Sequence, residues 1–405
     1  MIELKGDFAT AKVFTDNIDA ETQKQIETLL CQDFVKGAKI RIMPDCHAGA
    51  GCVIGFTANL GDKVIPNIVG VDIGCGMLCV ELGKAKIDLE DLDKIIYSHI
   101  PSGRNAHKKI VYEFEKLKDL LVYNSLKEKS WIEKSVGTLG GGNHFIEVNK
   151  DDGDNLYLVI HSGSRNLGKQ VAEIYQNIAV ELLSGKEEYL KERERVINEY
   201  GGSKKKIKKA LKELEKKYKG EKPKYPKDLC YLEGEWKDRY LNDMKICQEY
   251  ARINRKVMAE IILDKLFGKK LSGFPHFETI HNYINFNDNI IRKGSVSAYR
   301  GEKVLIPINM RDGSLICQGK GNPDWNYSAP HGAGRIMSRN KAREVINLED
   351  YKKSMSGIYT TSVNFDTIDE APFVYKPMEE IVENIKDTVD IIKVIKPIYN
   401  FKAAE

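Results

Sequence analysis

The spacing of hydrophobic and polar positions divides the chain into segments of different character. Through "AKIRIMPDCHAGAGCVIGFTANLGDKVIPNIVGVDIGCGMLCVEL", short β-branched runs alternate with glycine-rich polar turns, which predicts strands joined by tight turns. "IDLEDLDKIIYSHI" and "KKIVYEFEKLKDLLVYNSL" then carry apolar residues at helical spacing. "NLYLVIHSGSRNLGKQVAEIYQNIAVELL" predicts a strand, a glycine-rich turn and a helix. A long amphipathic helix is predicted over "WKDRYLNDMKICQEYARINRKVMAEIILDKLF", and β-type segments follow through "GSVSAYRGEKVLIPINM". The last stretch, ending "IIKVIKPIYNFKAAE", predicts a helix and a strand.

Composition changes this picture in one place. Residues 184–230 are set apart, and within them "GGSKKKIKKALKELEKKYKG" holds nine lysines against two glutamates. Ile207, Ala210, Leu211, Leu214 and Tyr218 fall on one helical stripe, so the segment is expected to be an inserted helical arm with a basic outer face. Such a face is either simply solvated or a contact for nucleic acid. No repeat and no flexible linker interrupts the rest, which predicts one compact catalytic unit carrying this insertion.

The chain has 405 residues, 42% of them hydrophobic, and a formal charge of +4. That length supports a large core, and the near-neutral balance argues against a polybasic nucleic-acid wrapper. The opening stretch lacks a basic-then-apolar signal and no run of eighteen apolar residues occurs, so a soluble cytoplasmic protein is expected. Eight cysteines show no CxxC pair, which argues against a disulfide framework or a structural zinc ribbon.

Five turns gather residues able to bind metal or phosphate. "MPDCHAGAG" supplies Asp45 and His47, "VGVDIGCGM" Asp72 and Cys75, and "GTLGGGNHFIEV" Asn143, His144 and Glu147. "LVIHSGSR" supplies His161 and Arg165, and "ETIHNYINF" Glu278, His281 and Asn282. Imidazole, carboxylate and thiolate at strand ends suit an open catalytic metal site, and the ligand types alone suggest zinc first and manganese second. Gly163, Gly168 and Lys169 fit G-x-x-x-x-G-K, but Gln170 replaces the hydroxyl a P-loop needs for magnesium. A glycine turn entering a helix beside Arg165 would still suit an anion.

"APHGAGR" presents His331 on a turn shaped for close approach. It could be a metal ligand, a general base or a nucleophile. No G-x-S-x-G motif supplies a serine for it to activate, whereas a phosphoramidate on its ring is sensible near glycines and Arg335. The residues alone therefore lead to a metal-dependent enzyme acting on phosphate groups.

Taken together, "MPDCHAGAGCVIG", "GVDIGCGM", "GGGNHFIEV", "HSGSRNLG", "IHN" and "SAPHGAGR", with "DEAPFVYKP", resemble the RtcB-type RNA ligases from about residue 40 onward. The resemblance implies an α+β fold of mixed sheets with surrounding helices, one ligase domain over residues 1–405 with the arm at 184–230 inside it. It implies a GTP- and Mn²⁺-dependent ligase joining 2′,3′-cyclic phosphate or 3′-phosphate RNA ends to 5′-hydroxyl ends. His331 would become guanylylated, and two manganese ions, displacing the zinc preference, would be held by Asp72, Cys75, His144, His161 and His281, with Cys75 bridging. Nucleotide contacts would come from Asn143, Phe145, Ile146, Glu147, Asn282, Pro307, Ile308, Asn309, Met310, Ser314, Gly332, Ala333, Gly334 and Lys402. Asp45 would be an outer partner of the metals and Arg165 a contact for RNA phosphate. Glu147 suits the guanine N1 and N2 donors.

"INMRDGS" places Asn309 where a serine is expected, and "PIYNFKAAE" lacks the usual glycine after Lys402. The expected partners are RNAs with broken ends, tRNA or ribosomal RNA, together with accessory turnover proteins and no membrane, and the chain is expected to be a monomer. The alternatives are a metal-dependent 2′,3′-cyclic phosphodiesterase that does not ligate and does not need His331, and a non-catalytic RNA-binding relative.

Overall fold

Residue parity organises the largest sheet. In the strands Gly76–Gly83, Phe145–Lys150 and Leu156–Ser162, Met77, Cys79, Phe145, Tyr157 and Val159 share one core. The residues between them, Leu78, Val80, Ile146, Val148, Leu158 and Ile160, belong to another. Successive side chains of a strand point to opposite faces, so each strand feeds two layers. The outer layer packs on two helices, Leu89–His99 through Leu92 and Ile96, and Gly234–Phe267 through Met258, Ala259, Ile262 and Leu263.

The computed structural model describes residues 1–200, 203–218 and 220–403. Its largest sheet has seven strands in the order Lys303–Asn309, Gly313–Gly319, Val389–Lys402, Phe145–Lys150, Leu156–Ser162, Gly76–Gly83 and His276–Ile280, all antiparallel. Its two edge strands approach each other, with the Lys303 ammonium over the Phe277 ring, and the inner core includes Leu305, Ile316, Ile395 and Phe277. The sheet thus curls into a nearly closed barrel. A six-stranded sheet runs in the order Ile2–Lys5, Thr10–Val13, Ile40–His47, Ile54–Ala58, Ile291–Lys293 and Asn282–Ile284. A two-stranded ribbon pairs Ser295–Ser297 with Ser328–Pro330 and leads directly into His331. Helices surround these sheets, giving an α+β fold.

The strand–turn–helix expectation holds, because the helix Arg165–Leu182 follows the strand ending at Ser162. The long helix spans Gly234–Phe267 and the arm contains helices Glu187–Glu199 and Lys204–Lys217. The helix expected over residues 108–126 does not form. Only short 3₁₀ turns at Glu115–Asp119 and Tyr123–Ser125 appear there. Phe114, Leu117 and Leu120 enter the core at a spacing of three, and Asp243 accepts the backbone N–H groups of Leu121 (2.9 Å) and Val122 (3.1 Å). Those bonds to a side chain replace the helical ladder. No described helix is long and apolar enough to cross a membrane.

Candidate active site

The barrel interior changes chemistry at one end. Met77 and Val159 line its apolar part with Phe277, and the next residues of the same parity in the first two strands are Cys75 and His161, while His281 follows the end of the strand His276–Ile280. Met77 and Phe145 both register against His161, Gly76 registers against Ile280, and Phe145 registers against Lys402. Strand register therefore brings residues distant in sequence to one rim. Two consecutive buried residues of the long helix tie the loops there. Asn254 accepts the N–H groups of Gly137 (2.8 Å) and Thr138 (3.0 Å) and donates to Gly163 O (3.2 Å). Arg255 donates to Gly74 O (2.9 Å) and Ser162 O (2.8 Å).

Cys75 Sγ stands at the centre of this rim. His144 Nε2 and His161 Nε2 each lie 3.4 Å from it, and these three residues form a buried, metal-capable group. His144 Nδ1 donates to Leu139 O (2.9 Å) and His161 Nδ1 to Asn143 O (3.1 Å). Both Nε2 lone pairs consequently point inward in the neutral rings. His144 Nε2 also faces Asp72 Oδ2 at 3.1 Å, and His161 Nε2 faces His281 Nε2 at 3.3 Å. Electron-rich atoms thus crowd around Cys75, with Asp72 close to His144 and His161 close to His281. Such convergence is unfavourable without positive charge, and the S, N and O donor set suits divalent transition metals.

Electrostatics follow this crowding. Burial and the neighbouring Asp72 carboxylate raise the Cys75 thiol well above its ordinary value. Burial, with neighbouring imidazoles, lowers His161 and His281 well below theirs. For Asp72 burial opposes ionisation, but the hydrogen bond and charge of His144 and the Arg165 guanidinium outweigh it and hold the carboxyl at about 2. A bound cation would draw out the Cys75 thiolate.

His331 faces the same space, its ring centroid 4.8 Å from that of His281. Its Nδ1 lies 2.7 Å from Asp45 Oδ2, and the same oxygen accepts the backbone N–H groups of His331 (3.1 Å) and Gly332 (3.2 Å). Asp45 is fully buried. Gly334, at φ +78°, packs so closely that a Cβ there would lie 2.2 Å from Asp45 O. The glycine at 334 therefore serves the close approach of the His331 turn to Asp45.

A cavity of about 490 Å³ opens over these groups, within the usual range for small-molecule sites. Of the residues singled out in the sequence, His47, Asp72, Cys75, Asn143, Phe145, Glu147, His161, His281, Asn282, Pro307, Ile308, Asn309, Met310, His331, Gly332, Ala333, Gly334, Arg335 and Lys402 line it. His144 and Asp45 lie just behind, each bonded to a lining residue. Ile146 points to the outer core, and Ser314 Oγ is buried without a partner away from the lining. Arg165 packs over Gly140 with its Nη1 3.1 Å from His144 Nδ1, outside the lining. Asp45 contacts His331 rather than the cluster around Cys75. The anion at the N-terminus of the helix Arg165–Leu182 is the chain's own Asp72, which accepts the Ser164 N–H at 2.9 Å. Lys169 is exposed, 3.9 Å from Glu173 and outside the cavity lining, so it does not serve this site as a P-loop lysine would.

Glu147 reaches the cavity from the barrel interior. Burial pushes its carboxyl up to about 7, against the hydrogen bonds from Asn149 (3.3 Å) and Asn400 (2.6 Å). Lys402 pairs with buried Glu370, which also meets Arg339 (2.7 Å), Arg335 (3.3 Å) and the Tyr375 hydroxyl (2.7 Å). Burial disfavours the Glu370 carboxylate, but Lys402, Arg339 and Arg335 overcome that and hold it at about 2. The residue-by-residue reading did not single out Glu370, Arg339, Tyr375, Asn149 or Asn400. "DEAPFVYKP" contained Glu370 and Tyr375 but gave no sign that they meet Lys402. Asn309 spends its side chain on a local turn, accepting from Arg311 N (3.0 Å) and Asp312 N (2.9 Å).

The scaffold and this pocket define an enzyme with a metal-capable centre beside a carboxylate-held histidine. The family model described as tRNA-splicing ligase RtcB matches residues 25–131 and 122–403, and the chain belongs to that RNA ligase family. It is 28% identical to the RNA-splicing ligase RtcB of Escherichia coli over 428 aligned positions, covering 96% of each chain. It is 26% identical to the tRNA-splicing ligase RtcB of Aeropyrum pernix, covering 92% of this chain and 90% of the relative. It is 23% identical to the tRNA-splicing ligase RtcB of Methanococcus maripaludis, covering 98% and 94%.

Proposed function

We propose that this enzyme is a GTP- and Mn²⁺-dependent ligase that joins 2′,3′-cyclic phosphate or 3′-phosphate RNA ends to 5′-hydroxyl ends through guanylylated His331. One observation carries the reading. Asp45 holds His331 by Nδ1, which fixes the tautomer with a lone pair on Nε2 and turns that atom towards the cavity.

In the first step Nε2 attacks the α-phosphorus of GTP, a P–N bond forms, and pyrophosphate leaves with the α–β bridging oxygen. An oxygen of the RNA 3′-phosphate then displaces His331 and takes the guanylate. Finally the 5′-hydroxyl attacks that RNA phosphorus, GMP leaves, and the hydroxyl proton passes to solvent. A cyclic phosphate is opened by water to the 3′-phosphate beforehand. Asp45 steadies the imidazolium character that develops as Nε2 bonds to phosphorus. Glu147, ionised, accepts from guanine N1–H and N2–H, and Lys402 faces a guanine acceptor.

Two ions would fit the groups that share Cys75, with Asp72 and His144 on one and His161 and His281 on the other. When bound they would stabilise the charge gathering on phosphate oxygens. The residues at 1–405 would act as one ligase domain in the cytoplasm, on tRNA or ribosomal RNA, as a monomer helped by turnover proteins. The test is to incubate the protein with GTP, Mn²⁺ and two RNA fragments bearing 3′-phosphate and 5′-hydroxyl ends. A joined product that requires GTP supports ligation. Opening of a cyclic phosphate without joining would support the phosphodiesterase alternative.

A further inference from the structure

The helix Lys204–Lys217 is built with its charge and its anchor on opposite sides. Leu214 is buried and Ile207, Ala210, Leu211 and Tyr218 are half-buried. Leu211, Leu214 and Tyr218 pack into the core shared with Tyr189 and Leu190 of the neighbouring helix Glu187–Glu199, with Tyr218 edge-on to Tyr189, and Ile207 and Ala210 continue the same stripe. At roughly 100° per residue, Lys205, Lys209, Lys212 and Lys216 fall about 180° from that stripe, and Lys208 lies beside them. All five are exposed. Glu213 and Glu215 lie on opposite flanks, away from the centre of the lysine face.

This arrangement works against the helix itself. Lys205 and Lys209, Lys208 and Lys212, and Lys212 and Lys216 are like charges four residues apart, which destabilises a helix. Its first turn holds no acidic residue, so the positive end of the helix dipole meets lysines as well. The neighbouring helix is different, for Lys191 pairs with Glu187 (3.2 Å) and Glu188 (3.0 Å), and Arg193 with Glu181 (3.6 Å). Among the described residues, no carboxylate lies within ion-pair distance of the five lysines. Of the aromatic rings near the lysine helix, Tyr189 is buried, and Tyr200 and Tyr218 lie beneath the flanking Lys206 and Lys217, so among the described residues no exposed ring stands on the basic face for a base to stack on.

We propose that this face binds the phosphate backbone of the RNA substrate, without reading its bases. Lys205 to Lys216 span about 16 Å at 1.5 Å per residue, enough to meet several successive phosphates of one strand. Contacts of this kind position a polynucleotide and carry no sequence information. The proposal rests on the reading of the enzyme as an RNA ligase but uses neither GTP nor the residues around Cys75 and His331.

The test uses the full chain with Lys205, Lys209, Lys212 and Lys216 all changed to Gln, and a second variant with the four changed to Arg. Fluorescence anisotropy follows binding of a labelled RNA hairpin of about 20 base pairs with 5′-phosphate and 3′-hydroxyl ends, which ligation cannot consume. The Gln variant is expected to bind at least about 10-fold more weakly at low salt. Its dependence of log K on log salt should be shallower by about 3, and the Arg variant should match the parent. A Lys205→Gln, Lys209→Gln pair, milder for folding, should lose about half of that slope. Sequence changes in the hairpin should leave all affinities alike. Unchanged affinity and slope in the Gln variant would overturn the proposal. So would loss of binding to polyglutamate with RNA binding intact, which would assign the face to an acidic protein. Labelling by GTP, measured in parallel, should be equal in parent and variants. Failure of that labelling in the parent, with the salt slope still falling in the Gln variant, would remove the ligase reading and leave the arm as an RNA contact.

Discussion

Asp45 Oδ2 sits 2.7 Å from His331 Nδ1 and also accepts the backbone N–H of the same residue, so one buried carboxylate sets both the ring and the turn that carries it. Asp45→Asn keeps the shape but can present an amide N–H to Nδ1, which favours the tautomer with its proton on Nε2. GTP-dependent labelling should then fall by about 10²–10⁴-fold while GTP affinity changes little. Single-turnover labelling set beside equilibrium nucleotide binding checks this, and near-normal labelling would deny Asp45 that role.

Glu147 supplies a pH dependence. Its folded carboxyl is pushed up to about 7, above the ordinary value near 4.5. Between those values the folded state holds a proton that the unfolded chain has lost, so its contribution to stability is full below about 4.5 and is lost as pH rises through about 7. The guanine contact proposed for Glu147 should run the other way, because only the carboxylate accepts both N1–H and N2–H. GMP affinity should therefore rise up to about tenfold per pH unit from pH 6 towards 7 and then level off. Calorimetry across pH should find this rise in the parent and a flat profile in Glu147→Gln, which should also lose less melting temperature between pH 5 and 8.

The two close pairs beside Cys75, Asp72 with His144 and His161 with His281, set the expected metal stoichiometry. Titration of Mn²⁺ into the parent should saturate near two ions, and Cys75→Ala should weaken both by more than the roughly 10–100-fold typical of outer partners. Loss of only one ion, with the other at parental affinity, would show that the thiolate is not shared.

Asn254 tests how the scaffold holds the site. It is fully buried and joins the long helix to Gly137, Thr138 and Gly163. Asn254→Ala strands buried backbone donors and should cost about 2–4 kcal/mol, read by denaturant unfolding. Manganese affinity should fall with it, since Thr138 and Gly163 adjoin the loops that carry His144 and His161. Parental stability would mean that the loops hold themselves.

Much of the site was legible because its residues stand in short, unusual turns. Cys75, His161 and His281 could each be named from a few flanking glycines or acids. Their meeting point depends on barrel register, which pairs Met77 with His161 and Gly76 with Ile280, and local spacing does not encode that. The same limit hid Glu370 and Asn400, whose partners Lys402 and Glu147 lie 32 and 253 residues away. The helix expected over residues 108–126 failed for a related reason. Its apolar spacing was real, but Asp243, more than a hundred residues on, claims its backbone donors. Elements whose backbone hydrogen bonds close within their own segment, such as the long helix and the lysine helix, match the expectation closely.

If His331 is the nucleophile proposed above, the site of guanylylation will show it. The protein should be incubated with α-labelled GTP and Mn²⁺, digested under mildly alkaline conditions, and the labelled peptide mapped by mass spectrometry. An acid-labile GMP adduct is expected on the peptide containing His331, absent from His331→Ala and from protein stripped of metal. An adduct on another residue, or one that persists in His331→Ala, would contradict that role for His331.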